Sequence, residues 1–306
     1  RPARVEIELL DHNGMLVTGH TREIPAQQTV QLNRPFYRLG DRSDIESGYA
    51  VVRVLSGQDI YVYGSVIDNT TGDPTAIPMK SSVGTSRQWI AAAAHGGGVQ
   101  GSVWRTDLTL LNRSGKTAAV EIVFHRDNGD TASRVVDVSE GEQASIRDVV
   151  AEMGLSGSGA LEIKANQPLL IASRTYNEGG AGTFGLFIDG IPDHRMADKG
   201  DTVWLPQMQQ NNSFRTNLGL VNSGATRSRV RIALHDRTGA EISVIRKTLD
   251  PDGWLQIQRP YSKFAGRNDI EAGYARVDVE SGGGVIAYAS VIDNSTNDGT
   301  AITMKR

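Results

Sequence analysis

The sequence contains no cysteine, and this absence excludes disulfides, thiolate nucleophiles and cysteine-ligated zinc or iron–sulfur sites. It also has no apolar run near the roughly 20 residues that a membrane-spanning helix needs, so we predict no membrane span. No block of like charge occurs, and the formal net charge is only −3. A surface of this kind argues against nucleic acid as a partner.

What the chain does have is length, turn residues and enough apolar residues for a core. Its 306 residues suit two or three domains, and 39% of them are hydrophobic. The 34 glycines favour a fold with many tight turns. The chain opens with Arg1-Pro2-Ala3, with neither an initiator methionine nor a signal peptide, so we expect a piece of a longer protein.

An internal repeat determines the organisation of the chain. Residues 4–80 align with residues 229–305 at a constant shift of 225, without a gap, and 33 of the 77 pairs are identical. A diverged third copy lies between them, because 104–112 matches 214–222 at a shift of 110. We therefore predict three modules, called modules 1, 2 and 3 below. Their predicted bounds are 1–81, 88–197 and 201–306.

Module 1 is predicted to be incomplete. Modules 2 and 3 open with the related segments 104–112 and 214–222, but nothing equivalent precedes Val5. Module 2 carries insertions around 147–158 and 177–195. The joints between modules, 81–87 and 197–200, are short, which favours a semi-rigid rod over freely jointed modules.

Alternation of apolar and polar residues with period two predicts antiparallel strands with one buried face. Asparagine–glycine and related turns at 12–14, 127–129 and 237–239 separate strand-like runs and predict hairpins. Only 144–154 has helical spacing, and we interpret it as an insertion of module 2. About seven short strands in roughly 100 residues predict an all-β fold of tandem antiparallel β-sandwich modules of the immunoglobulin-like type, the first lacking its opening strands.

Two oxygen-rich loops are the candidate metal sites. They occupy equivalent places in modules 1 and 3, and Ca²⁺ prefers six to eight oxygen ligands. Side chains of Asp and Asn also cap their own turns without any metal, which is the alternative interpretation. The spacing is not that of an EF-hand, and no other cofactor is predicted. The six candidate ligands are Asp68, Asn69, Asp73, Asp293, Asn294 and Asp298.

No catalytic residues are predicted. The run 95–98 resembles an esterase oxyanion loop, but the chain lacks the G-x-S-x-G nucleophile motif. Glycine patterns at 96–101 and 180–185 precede strand-like runs, whereas dinucleotide binding requires a helix there. The acidic pairs near Asp44 and Asp269 recur in two copies, which favours a structural role over glycosidase chemistry, with Arg42 and Arg267 as partners.

The segments 104–112 and 214–222, together with 172–177 and 182–185, resemble bacterial immunoglobulin-like repeats. The resemblance covers nearly all of the chain. Such repeats are appended to secreted proteases and other exported proteins or strung along cell-surface chains. The resemblance implies export from a bacterial cell, a sandwich fold and an accessory or adhesive role, and it carries no catalytic residues.

From these observations we predict a non-enzymatic extracellular or cell-surface protein with a structural or adhesive role, a spacer or a filament subunit. A sandwich without its opening strands exposes sheet edges, which are templates for strand addition. Strand complementation of module 1 by another subunit would give a head-to-tail polymer. The alternative is a carbohydrate- or substrate-binding accessory module of a larger secreted hydrolase, with aromatic residues such as Trp89, Trp204 and Trp254 stacking on a glycan.

Overall fold

A computed structural model describes residues 1–80, 84–178 and 182–306 as a chain of antiparallel β-sheets. The predicted all-β fold of tandem sandwich modules, with an incomplete first copy, is confirmed. No helix in the described ranges has the length and apolar character that crossing a bilayer requires. The joint 81–87 and the insertion 177–195 lie partly outside the described residues.

Module 1 consists of two separate small sheets. The elements of module 1 are the strands Ala3–Asp11 (β1), Leu16–Ile24 (β2), Gly48–Ser56 (β3), Tyr63–Ile67 (β4) and Pro74–Pro78 (β5), and the helix Pro35–Gly40 (α1). The larger sheet has the order β2-β1-β3, and the smaller sheet pairs β4 with β5.

Module 2 is one hydrogen-bonded sheet of eight strands, in which a single long strand pairs with different neighbours along its two halves. The first half of this long strand pairs with β6 and β8. Its second half, after Pro168, pairs with β7 and β12. Its elements are Thr85–Gly97 (β6), Val103–Asn112 (β7), Ala118–Arg126 (β8), Thr131–Val138 (β9), Gln143–Ile146 (β10), the helix Val149–Glu152 (α2), the long strand Gly157–Asn177 (β11), Phe184–Asp189 (β12) and Ile191–Pro192 (β13).

Module 3 is the complete form of the repeat. Its two four-stranded sheets have the orders β14-β19-β16-β17 and β18-β15-β20-β21. Its elements are Thr202–Gln210 (β14), Phe214–Asn222 (β15), Ser228–Asp236 (β16), Glu241–Leu249 (β17), Trp254–Gln258 (β18), the helix Pro260–Ala265 (α3), Ile270–Ser281 (β19), Val285–Asp293 (β20) and Gly299–Thr303 (β21).

The predicted hairpin turns are confirmed by their backbone conformation. Gly14, Gly129 and Gly239 have φ values of 79°, 90° and 86°, which a residue with a side chain rarely adopts. Each glycine closes a turn between two strands of one sheet. The repeat in the sequence therefore corresponds to a hairpin that recurs in the three modules.

The predicted helix over 144–154 is only partly correct. Residues 143–146 form β10, and only Val149–Glu152 is helical. This strand-and-helix unit is not an insertion of module 2, because β18 and α3 repeat it in module 3. The spacing of apolar residues predicted one helix because Ile146, buried on strand β10, and Val149 and Val150, buried on helix α2, together have the spacing of one helical face.

Two buried clusters form the cores, and no described side chain of module 1 belongs to either. One cluster fills module 2. The other fills module 3 and extends into module 2 through Trp89, Ala91 and Ile191. Modules 2 and 3 therefore share a continuous apolar contact, while the buried apolar side chains of module 1, such as Val5 and Leu9, belong to neither cluster.

Candidate functional site

The predicted calcium loop of module 1 forms a contact between modules. Oδ1 of Asp68 accepts hydrogen bonds from the backbone amides of Thr70 and Thr71 at 2.8 and 3.1 Å. Its Oδ2 accepts bonds from the amide and the hydroxyl of Thr183 in module 2, at 3.0 and 2.7 Å. The bond from the Thr183 hydroxyl, with the amide bonds, holds the pKa of Asp68 well below its usual range. The loop thus caps itself and binds module 2.

The other carboxylate of this loop reinforces the same contact. The Asp73 side chain is 3% exposed, and its Oδ2 accepts bonds from Nη2 of Arg174 at 3.1 Å and from the amide of Gly185 at 2.9 Å. Nε of Arg174 also donates to the hydroxyl of Thr75 at 3.0 Å. Arg174 lies on β11, so the long strand of module 2 holds module 1 through an ion pair with a buried carboxylate.

The equivalent loop of module 3 is capped in the same way. Oδ1 of Asp293 accepts bonds from the amides of Ser295 and Thr296 at 2.7 and 3.0 Å. Burial, together with the nearby Asp73 carboxylate, raises the pKa of Asp298 to about 6. The structure therefore brings one carboxylate from each loop towards the other, beside Arg174.

In the described ranges, no group of three or more His, Cys, Asp or Glu side chains is placed to hold a metal ion. The geometry of both loops agrees with the self-capped alternative, since their Asp side chains bond their own turn amides. Asn69 is exposed and makes no hydrogen bond with the described residues. Calcium binding at the six residues stays a prediction.

Module 3 is attached to module 2 through a buried cation. Nη1 of Arg215 donates to Oε1 of Gln100 at 2.8 Å, and Nη2 donates to Oδ1 of Asn297 at 2.7 Å. Burial lowers the pKa of Arg215. Nearby, Nε1 of Trp254 donates to the carbonyl of Ala91 at 2.9 Å. These polar contacts surround the apolar contact described above.

A second contact joins module 1 to module 2 through Tyr49 of β3 and the turn between β1 and β2. The hydroxyl of Tyr49 donates to the carbonyl of Gly141 at 2.8 Å and accepts a bond from Arg113 at 3.1 Å. The amide of Gln143 donates to the carbonyl of His12 at 2.7 Å. Module 1 is thus held at two places, although it has no core cluster.

Module 2 contains one buried charged network, around Glu162. Its carboxylate is 3% exposed and lies 2.8 Å from Nε of Arg87, 2.9 Å from Nζ of Lys164 and 3.3 Å from Nε2 of His125. Burial alone would raise the pKa of Glu162, but the bonds from His125, Lys164 and Arg87 outweigh it and bring the pKa to about 2. A carboxylate held ionised by three partners is a poor proton acceptor at neutral pH.

A second polar cluster lies between β6, β7 and the start of α2 in module 2. Nδ1 of His95 is 2.7 Å from Oδ2 of Asp148, and Nε of Arg105 is 3.1 Å from the same oxygen. Desolvation and the Asp107 carboxylate raise the pKa of Tyr176 to about 12. The ring of His95 therefore bonds a carboxylate, and no hydroxyl in the described ranges is hydrogen-bonded to it.

The paired acidic residues have structural partners, as predicted. Arg42 lies 2.6 Å from Asp44, and Arg267 lies 2.5 Å from Asp269. These ion pairs hold the pKa values of both aspartates below the usual range. The shallow concavity beside Asp269 has a volume of about 290 Å³ and is lined by the turn between β14 and β15.

The most unusual surface is on module 1, and we call it the open face. It consists of the outer edges of β3 and β4 and of the side chains Ala50, Val54, Tyr63, Val66 and Ile67, all of them exposed. Val66 and Ile67 are 59% and 55% exposed, whereas their counterparts Val291 and Ile292 are 8% and 4% exposed.

The open face is part of a wider asymmetry between the modules. Of the seventeen large apolar side chains that are exposed in the described ranges, twelve lie in residues 1–80. The exposed apolar side chains are thus concentrated in module 1. The repeat in the sequence predicted the missing strands, and the structure locates the side chains that they leave uncovered.

Comparisons with known proteins add little. No protein-family profile matches the chain, and no curated protein matches it. Among solved structures, Thermotoga maritima 1070 is 13% identical with a TM-score of 0.29, over 35% of this chain and 95% of that one. A β-glucuronidase 2 from Bacteroides uniformis is 10% identical with a TM-score of 0.15, over 66% of this chain and 24% of that one.

A glycosyl hydrolase family 2 member from Bacteroides cellulosilyticus is 6% identical with a TM-score of 0.16, over 76% of this chain and 32% of its own. The chain therefore spans about a quarter and a third of the two glycosidases. At such TM-scores none of these likenesses carries an argument about function. The chain's own sheets define a tandem β-sandwich protein, as the resemblance implied, and the particular repeat family stays a prediction.

Proposed function

We propose that the chain is a non-enzymatic structural scaffold of an exported bacterial protein, a spacer or a filament subunit. The observation that carries the proposal is the use of polar side chains between modules. Asp68, Asp73 and Arg215 all bond across a module boundary. Side chains fixed in this way position domains instead of substrates.

The contacts between modules are numerous enough to hold them together. A hydrogen bond contributes about 1 kcal/mol, and bonds to a charged group contribute about 1.5–3 kcal/mol. Module 1 has two separate contacts with module 2, at Asp68 and at Tyr49, so it cannot pivot about one point. We therefore expect the three modules to tumble as one body.

Measurement of rotational diffusion by NMR relaxation tests this proposal. Equal correlation times for the three modules are expected in the unaltered chain. Combined Arg174→Ala, Thr183→Val and Tyr49→Phe substitutions, which weaken both contacts with module 2, should release module 1 and shorten its correlation time. Arg134→Ala is the matched control, because Arg134 pairs with Glu152 inside module 2. Independent tumbling of modules in the unaltered chain would overturn the scaffold proposal.

A second candidate function is glycan or substrate binding as an accessory module of a secreted hydrolase. Trp204 supports it, because this ring is 39% exposed on the edge strand β14 and lies beside Tyr274 and under Arg276. Trp89 and Tyr261 are fully buried and cannot stack on a sugar. The names of the two glycosidases agree with this alternative better than with a filament, although their TM-scores give them no weight.

A glycan array distinguishes the two candidates. The accessory-module alternative predicts a glycan that binds the unaltered chain and is lost after Trp204→Ala. Val135→Ala, another exposed apolar position on an edge strand, is the control. An array without hits removes this alternative and leaves the scaffold proposal standing.

A further inference from the structure

We infer that the outer face of module 3 docks a further module of the same repeat, attached behind module 3 in the same polypeptide. The outer face is the side of the sheet β14-β19-β16-β17 that carries Trp204, His235, Tyr274 and Arg276. These side chains alternate along their strands with residues of the core, so they point away from it. The inference rests on the proposed scaffold function, because it names what the scaffold binds at module 3.

The same face of module 2 is covered by module 3. Strands β8 and β16 are related by the shift of 110, and through their neighbours β11 and β19 this relation aligns Trp89 of β6 with Trp204 of β14. Trp89 is fully buried and belongs to one cluster with the core of module 3. Nε1 of Trp254, on β18, donates to the carbonyl of Ala91 in β6 at 2.9 Å. Module 3 therefore packs on the outer face of module 2.

The same face of module 1 is covered by module 2. Tyr49 is the counterpart of Tyr274 at the shift of 225, and it is 8% exposed. Its hydroxyl donates to the carbonyl of Gly141, just ahead of β10. Nε2 of Gln143, in β10, donates to the carbonyl of Gly48 at 3.2 Å. Each of the first two modules thus receives the next one on this face.

Both junctions use the same strand of the following module. Gln143 begins β10 and lies opposite Leu111, whereas Trp254 begins β18 and lies opposite Val221. Leu111 and Val221 are related by the shift of 110, so Gln143 and Trp254 occupy one position of the repeat. The first residue of this strand contacts the preceding module in both cases. The docking relation is therefore a property of the repeat and not of one pair of modules.

On module 3 the groups used at the other two junctions have no partner in the described ranges. Trp204 is 39% exposed, whereas its counterpart Trp89 is fully buried. The hydroxyl of Tyr274 makes no hydrogen bond with the described residues, whereas that of Tyr49 bonds the following module. A docked module would cover the indole and would supply the backbone carbonyl that Gly141 supplies to Tyr49.

The path of the chain brings a following module to this face. In module 2, the segment that leads to module 3 begins with β13, whose Ile191 pairs with Trp89. In module 3, the amide of Trp204 donates to the carbonyl of Lys305 at 2.8 Å, and the amide of Lys305 donates back at 2.9 Å. Residues attached behind Arg306 would therefore start beside the outer face, as residues 193–201 do in module 2.

Extension of the chain tests the inference. Residues 193–306 appended behind Arg306 reproduce the joint between modules 2 and 3. The probe is Arg276→Cys in the original module 3, the only thiol because the chain has no cysteine. The Arg276 side chain is 42% exposed, whereas that of its counterpart Glu162 is 3% exposed. A tethered module has an effective concentration of about 1 mM, so with a Kd of about 0.1 mM or below thiol labelling should slow at least about tenfold.

Two variants serve as controls for this labelling. Val244→Cys should label at the same rate with and without the extension. Val244 is exposed on β17 of the same sheet, and its counterpart Ser133 stays exposed although module 3 is docked on module 2. With Trp204→Ala added to the Arg276→Cys probe, the extended and the unextended chain should label at equal rates.

If the appended copy of module 3 does not fold, residues 82–197 appended behind Arg306 present module 2 in its place and should protect the same thiol. Absence of protection in both arrangements overturns the inference. So does protection of the unextended chain that grows with protein concentration, which would make a second copy the occupant, or protection by a glycan. None of these outcomes changes the correlation times of modules 1 to 3 that test the scaffold proposal.

Discussion

Truncation of the same isoleucine in two modules should have very different effects on stability. Ile292 is 4% exposed and Ile67, its counterpart, is 55% exposed. Ile292→Ala removes three buried carbons, worth about 0.8 kcal/mol each, and leaves a cavity, so we expect a loss of about 2–5 kcal/mol. Ile67→Ala removes atoms that water already reaches and should change stability by less than about 0.5 kcal/mol.

Hydrogen exchange resolved by peptide, followed along a denaturant series, separates the modules in this experiment. At about 4–8 °C per kcal/mol for a domain of this size, Ile292→Ala should also lower the Tm of module 3 by about 10 °C or more. Ile67→Ala should leave the stability of module 1 unchanged. Equal losses for the two variants would mean that Ile67 is covered in the free chain, and the open face would not exist.

Three further predictions concern single side chains. Asp298→Asn should raise the Tm at pH 7, because the pKa of Asp298 is raised from 3.8 to about 6 and the ionised form opposes folding; the gain should vanish below about pH 4. Glu162→Gln should lower the Tm at pH 7, and the difference should shrink between pH 4.5 and pH 2, as Glu162 becomes protonated in both states. Asn294→Ala should destabilise module 3 by about 1 kcal/mol in urea unfolding, whereas Asn69→Ala should have no effect, because Asn69 is exposed and makes no hydrogen bond with the described residues. A pH-independent effect at Asp298 or Glu162, or a loss at Asn69, would contradict the corresponding contact.

The sequence alone was sufficient for the strands that the repeat preserves. Identical residues at a shift of 225 predicted the hairpin turns at Gly14 and Gly239, since both need positive φ. The same repeat predicted that module 1 lacks its opening strands. It could not show that the unit of β18 and α3 recurs, because a short strand followed by a short helix gives a mixed periodicity.

The contacts between modules were not predictable from local patterns. Asp68 was a candidate calcium ligand because of its neighbours in sequence, but its second oxygen bonds Thr183, which lies 115 residues away. No local sequence pattern marked Arg174 or Arg215 as a contact between modules, because such a role depends on the groups that surround the guanidinium in the folded chain. Such contacts depend on how modules pack, and periodicity within one module contains no information about that.

The most direct test of the unfinished module is amide hydrogen exchange in the unaltered chain, with module 3 as the internal reference. The amides of β3 and β4 should exchange at least about a hundredfold faster than those of β19 and β20, because a free strand edge opens without breaking a sandwich. Equal protection of the two sets would show that the strand edges of module 1 are covered, and would contradict the open face.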